Sequence, residues 1–214
     1  LWGLIHCGTS KGPGPLAPET KTMKRLIDAF DRAYIINLSE RPDRRQEVEQ
    51  DFQQIGLSIP DDKVHYYTAT RPTERAQFHS IGARGVFTSH RNILELAVKD
   101  RLRNVLVFED DVSFRDVGER FIARLLAQIS GQEWDLLYFG YASPLDEQLS
   151  GPLLPWKDIT LGTHFYAVNG PFMARMLDYM RESEAGPPGD ADHGPTSADG
   201  IYNRVRLRHA DVRV

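Results

Sequence analysis

The stretch Asn104-Val105-Leu106-Val107-Phe108-Glu109-Asp110-Asp111 decides the fold. An unbroken apolar run ends abruptly on three carboxylates. A run of that kind reads as a strand covered on both faces. Its sudden polar end reads as the carboxyl edge of an open sheet, where α/β proteins hold their ligands.

Working outward from it, strand and helix patterns alternate. Ala33–Leu38 (AYIINL) is a second continuous apolar run, and Pro42 stands where a helix can begin. Val48, Phe52 and Ile55 form a helical stripe closed by Gly56. Val64–Thr68, Trp134–Gly140 and Phe165–Val168 read as further strands. Ile93, Leu96 and Ala97 mark a helix running to about Lys99, and Phe121 to Ile129 marks another. Phe172 to Met180 marks the next, with Asn169 as its N-cap and Pro171 in its first turn. This order predicts an α/β domain with a mainly parallel sheet. Residues 1–30, with a Gly- and Pro-rich stretch at Gly8–Pro18, read as an N-terminal extension or linker. Residues 31–214 read as the main folded domain. Glu184–Ser197 reads as a mobile surface loop.

Composition narrows the function. The chain has 214 residues, with 26 Lys and Arg against 30 Asp and Glu, a net charge of −4. A slight acidic excess speaks against a nucleic-acid binder. A single cysteine, Cys7, rules out an internal disulfide framework and a multi-cysteine metal site. No apolar run is long enough to span a bilayer. A cytoplasmic protein is expected, one that can associate peripherally with the inner face of a membrane. The chain begins on Leu1 and ends on Val214 in a stretch read as a strand, so a longer parent protein is expected.

Three consecutive carboxylates repel one another unless a cation or solvent offsets the charge. At a strand end they can converge on a hard divalent ion, or simply form a solvated acidic turn. In an extended chain Glu109 and Asp111 share one side and Asp110 takes the other. An Asp-based phosphotransferase needs Asp where Glu109 stands. The following residues fail the pattern of a calcium-binding EF-hand loop.

Four segments together resemble glycosyltransferase family 25, which includes lipooligosaccharide and procollagen galactosyltransferases. They are YIINLSERPDRR (Tyr34–Arg45), GARGVFTSHRNI (Gly82–Ile93), NVLVFEDDVSF (Asn104–Phe114), and LGTHFYAVNGPFMARML (Leu161–Leu177) followed by SADGIY (Ser197–Tyr202). Val86 stands where the family often has Cys, a change expected to affect only packing. The family's segment beyond the final strand is absent, so the C-terminus is expected to be truncated. The resemblance implies a GT-A fold, a Rossmann-like nucleotide-sugar sheet. It implies inverting transfer of a hexose, galactose from UDP-galactose, to a hydroxyl of a glycan or other acceptor, with Mn2+ or Mg2+ as cofactor. The alternatives are retention of the fold as a non-catalytic binding module, or an Asp-based phosphotransferase.

The resemblance also suggests roles. Asp111 and Glu109 are candidate metal ligands, joined by His209, which otherwise reads as an exposed strand histidine. Asp110 would hold ribose or donor-sugar hydroxyls. Asp199 would be the catalytic base, or alternatively a helix N-cap. Asn37 and Leu38 would meet the base edge. Arg41 and Arg44 would reach base, ribose or diphosphate, although RPDRR is also an ordinary solvated helix start. Ser89 and His90 would sit early on a helix whose free N–H groups suit an anion. Ser89 as a cap and His90 as a core histidine are the plain readings. Trp156 could stack on an acceptor sugar or pack inside.

Overall fold

In the computed structural model the described residues are 21–114, 118–140 and 152–214. The elements in chain order are α1 (Lys21–Asp28), β1 (Arg32–Asn37), α2 (Pro42–Gln54), β2 (Val64–Thr68), α3 (Ile81–Lys99) and β3 (Asn104–Glu109). They continue with α4 (Glu119–Gly131), β4 (Leu136–Gly140), β5 (Phe165–Asn169), α5 (Gly170–Ala185) and α6 (Ala198–Arg208). One five-stranded sheet has the order β2-β1-β3-β5-β4. β1 pairs in parallel with both β2 and β3, whereas β5 runs antiparallel to β3 and β4. The sheet is therefore mixed, not mainly parallel as expected. The connection from β4 to β5 contains no crossover helix among the described residues, and β5 returns beside β4 in the opposite direction.

Strand alternation sorts the apolar residues into two cores. Ala33, Ile35, Leu106 and Phe108 face α1, α2 and α4. Tyr34, Ile36, Val105, Val107 and Tyr166 face α3, α5 and α6. Three layers result, helices covering both faces of the sheet. Helix α1 falls within the span read as an extension, yet Met23, Leu26, Ile27 and Phe30 are buried in the first core. The packed unit thus includes α1.

Three local expectations are corrected. Helix α3 starts at Ile81, capped by Ser80, whose Oγ accepts from Ala83 N. The stripe Ile93–Ala97 is only its second half. Val205–Arg208, read as a strand, completes α6, and His209 is its C-cap. The polar residues after α5 are fastened. Asp190 Oδ1 accepts from the N–H groups of Asp192 and His193, and Gly194 O accepts from Ser183 Oγ and Arg204 Nη1, both at 2.8 Å. Polar side chains there hold a turn that hydropathy cannot register.

The first strand leads outward to β2 and the chain then returns past β1 to form β3. The carboxyl ends of β1 and β3 therefore flank a topological switch point, the crevice in which such sheets bind ligands.

Candidate functional site

At that crevice β1 ends on Asn37, which is buried. Its Nδ2 donates to Asp110 Oδ2 at 2.8 Å and to Arg41 O at 3.3 Å. The bond ties the acidic turn to the neighbouring strand. Burial raises the Asp110 carboxyl above its ordinary range, and the nearby charge of Asp111 adds to this. The Asn37 bond and the charges of Arg44 and Arg41 pull the other way. Arg41 is paired with Asp43, and Arg44 with Glu47. Leu38 is half-buried, and its carbonyl accepts from Arg41 N at 2.9 Å in the turn leading to α2.

Glu109 closes β3, its side chain 28% exposed. Its Oε1 accepts from Thr163 Oγ1 at 3.2 Å and lies 3.3 Å from His90 Nε2. Burial pushes this carboxyl up. The contact with His90, the Thr163 hydroxyl and the charge of His164 outweigh burial and hold it below the usual range.

Glu109 and Asp111 line one cleft of about 310 Å3. Gly162, Thr163 and His164 form an adjoining wall, Ser197, Ala198 and Asp199 another, and His79, Ala83 and Val86 complete the lining. Val86 is 41% exposed, so the change from the family's Cys alters the cleft wall and not the packing. Asp199 lies in the first turn of α6. The N-cap is Ser197, whose side chain accepts from Gly200 N. Asp199 itself accepts from Gly200 N at 2.9 Å and Gly162 N at 3.4 Å. The helix start holds Asp199 at the cleft, where its charge also suits the helix dipole.

The other expected residues lie elsewhere. Ser89 is buried in mid-helix, its Oγ donating to Gly85 O at 2.7 Å and accepting from Thr70 N at 2.8 Å. It clasps α3 to the segment after β2. His90 is buried beside it, so neither meets the free N–H groups of a helix start. His209 is absent from the cleft lining and contacts the Tyr179 hydroxyl at 2.5 Å. Trp156 is half-buried, and its backbone N–H donates to Val214 O at 3.0 Å.

His164 is the residue that sequence reasoning missed. It is 9% exposed and lines the cleft. Its carbonyl accepts from Glu109 N at 2.8 Å, which sets the two residues opposite each other across β3 and β5. The ring sits between Gly140 and Gly162. A Cβ at those glycines would come within 2.6 Å of Nε2 and 2.8 Å of Nδ1 respectively. Among the described residues neither ring nitrogen has a hydrogen-bond partner. The available signal was a histidine immediately before an apolar strand, preceded by Gly162, which takes a φ of +90°.

Among the described residues no three His, Cys, Asp or Glu side chains converge closely enough to hold a metal ion by themselves. The expected trio of Glu109, Asp111 and His209 is not assembled. The two carboxylates at the cleft do fit a hard divalent ion, which can bind through one or two carboxylates and complete its shell with water and phosphate oxygens. As hard oxygen donors the two carboxylates suit Mn2+ or Mg2+.

Comparison with known proteins accords with this architecture. A family model described as "Glycosyltransferase family 25 (LPS biosynthesis protein)" matches residues 30–148. A Drosophila melanogaster protein named "Glycosyltransferase 25 family member" is 30% identical over 129 residues, covering 52% of this chain and 21% of its own length. An Anopheles gambiae protein of the same name is 35% identical over 131 residues, covering 52% and 22%. A human protein named "Inactive glycosyltransferase 25 family member 3" is 29% identical over 129 residues, also covering 52% and 22%. The chain spans about a fifth of the length of these relatives. The matched residues carry Asn37 and all three acids of the strand end on more than half of the sequence, and the chain belongs to glycosyltransferase family 25.

Proposed function

We propose that this chain carries the donor site of an inverting, metal-dependent glycosyltransferase of GT-A type. It would move a hexose, galactose from UDP-galactose, onto a hydroxyl of a glycan or other acceptor. The observation that carries this reading is the placement of Glu109, Asp111 and Asp199 on one cleft beside the switch point of the sheet.

The acceptor oxygen forms a bond to the anomeric carbon as the bond from that carbon to the β-phosphate oxygen breaks. The acceptor proton passes to an Asp199 carboxylate oxygen, and UDP leaves with the bonding pair. Glu109 and Asp111 would hold a divalent ion, which would supply Lewis-acid neutralisation of the diphosphate worth several kcal/mol. His164 supplies a ring N–H to a diphosphate oxygen, its orientation preset by the two glycines. Asn37 holds Asp110 toward the donor's ribose or sugar hydroxyls. Arg41 and Arg44, at the start of α2, would exchange their carboxylate partners Asp43 and Glu47 for the base, ribose or diphosphate. Among the described residues no helix is long and apolar enough to cross a membrane, and peripheral attachment at the inner face of a membrane is part of the proposal.

A thermal-shift panel of nucleotides and nucleotide sugars, with and without Mn2+, tests the donor. Selective stabilisation by UDP-galactose with Mn2+, and release of UDP when acceptor is added, is expected. Failure of every nucleotide sugar to stabilise the protein would overturn the proposal. Binding without turnover would favour the binding-module alternative, which the names of the inactive relatives keep in view.

A further inference from the structure

We infer that His90 is a positioning residue for Glu109, locked by Tyr166 and Tyr202 into the tautomer that points an N–H at the carboxylate. This rests on reading Glu109 as part of the donor site. Four elements meet here: α3 brings His90, β3 Glu109, β5 Tyr166 and α6 Tyr202. The His90 ring is 0% exposed, and both tyrosines are buried. Its Nδ1 is 2.7 Å from the Tyr166 hydroxyl, and Tyr202 donates to that hydroxyl at 3.1 Å. Its Nε2 is 3.3 Å from Glu109 Oε1.

The order of protons follows from the tyrosine end. Tyr202 donates to the Tyr166 oxygen, and the one proton of the Tyr166 hydroxyl is left for His90 Nδ1. Nδ1 therefore accepts, and the ring N–H is on Nε2, which faces Glu109 Oε1. Every donor in the series points toward Glu109. Tyr202 lies three residues beyond Asp199 on α6, so the same series links the two acid-bearing elements of the cleft through the core.

The last contact is within ion-pair range but is not aligned as a hydrogen bond. A buried N–H left in this way is costly, and a core needing only volume would be filled by an apolar side chain. The arrangement makes sense if the contact straightens when a ligand draws Glu109 into place, since hydrogen bonds of this kind are often long before the ligand arrives. Thr163 and His90 both address Oε1. Among the described residues no hydrogen bond falls on Oε2, which is left for the cleft.

Long-range 1H–15N spectra of the wild-type chain should report His90 with Nε2 protonated and Nδ1 bare. In Tyr166→Phe, which keeps the shape of the core, that proton distribution should change. His90→Gln sets an amide nitrogen near the Nε2 position, and His90→Asn sets one near Nδ1. UDP affinity in Mn2+, measured by calorimetry, should stay within about threefold in His90→Gln and fall about tenfold or more in His90→Asn, the size of effect typical of residues behind metal ligands. A purely structural role would not distinguish these variants in that direction. Equal UDP affinity in the two, or a wild-type spectrum with Nδ1 protonated, would overturn the inference. If wild-type protein fails to bind UDP with Mn2+, the donor-site reading fails, and the spectra still decide whether the tautomer lock exists.

Discussion

Two walls meet in the cleft, and they come from sequence of opposite character. One is the end of β3, where Glu109 and Asp111 follow directly on an apolar strand within the part that matches the family model. The other is Gly162–His164 with the start of α6, which lies beyond residue 148, the last that the model matches. In the first wall the site residues follow one another along the chain. In the second, His164 and Asp199 are far apart in sequence, and long-range contacts bring them to the same place. Local order can write an acidic edge. His164 and Asp199, to which the proposed function gives the diphosphate contact and the base, are brought together only by the fold.

The largest expected effect breaks or sustains the first wall. Asp111→Ala should lower Mn2+-dependent transfer by about 10^3-fold or more, because several kcal/mol of charge stabilisation disappears. Asp111 is half-buried, so the variant's far-UV circular dichroism, expected to match that of the wild type, separates loss of the site from loss of the fold. Transfer at the wild-type rate would remove Asp111 from the site and the comparison with it.

Asp199→Asn tests the second wall. The amide oxygen can still accept from Gly200 N, so α6 should keep its start. Loss of the base should reduce kcat by about 10^2- to 10^4-fold with donor KM changed little. A parallel loss of donor affinity would instead mark Asp199 as a ligand or a structural acid.

The same division governs what could be read beforehand. Strands β1, β2, β3 and β5 were legible within a residue or so, because apolar runs bounded by polar residues carry that information locally. The crevice beyond β1 and β3 followed from the same runs. The direction of β5 was not legible, since an antiparallel return depends on the long connection before it and not on its own residues. Ser89 and His90 looked like a helix start because Gly82 and Gly85 read as a turn. Both glycines are helical, and a Cβ on Gly85 would come within 2.7 Å of Thr70 O. His209 looked like a strand residue through alternation with Leu207, but α6 continues to Arg208 because Tyr202 and Val205 pack into the second core. His164 was passed over because its meaning lies in Gly140 and Glu109, one before it on β4 and the other on β3.

A smaller effect sharpens the contrast within the matched region itself. Ser89→Ala removes the acceptor of Thr70 N and leaves a buried N–H without that partner. A cost of about 1–3 kcal/mol is expected, visible as a lower denaturant midpoint with an unchanged slope. Donor affinity should hold, since both Ser89 bonds are internal. A tenfold loss of donor affinity at full stability would place Ser89 among the ligand contacts after all.

The smallest effect concerns the C-terminal residues, which meet the start of β4 at the end of the sheet away from the cleft. Arg213 donates from its backbone N–H and its guanidinium to Asp135, at 2.8, 2.9 and 3.0 Å, and Arg213 O accepts from the N–H groups of Asp135 and Leu136. Burial raises the Asp135 carboxyl, but the Arg213 bonds outweigh it and hold the carboxyl below its ordinary value. A carboxyl lowered in the folded state adds stability that is complete above its unfolded value, near 4, and is lost as pH falls through the folded value. The Asp135 side chain is 12% exposed and its partner 47%, so solvent screening limits the contribution to about 1 kcal/mol. Asp135→Asn keeps one oxygen to accept from Arg213. At pH 7 it should melt about 2–4 °C below wild type, and the gap should narrow as the pH is taken below about 4. A gap that persists unchanged at pH 3 would mean that the charge is irrelevant. The bonds to backbone groups alone would then fasten the chain end to β4.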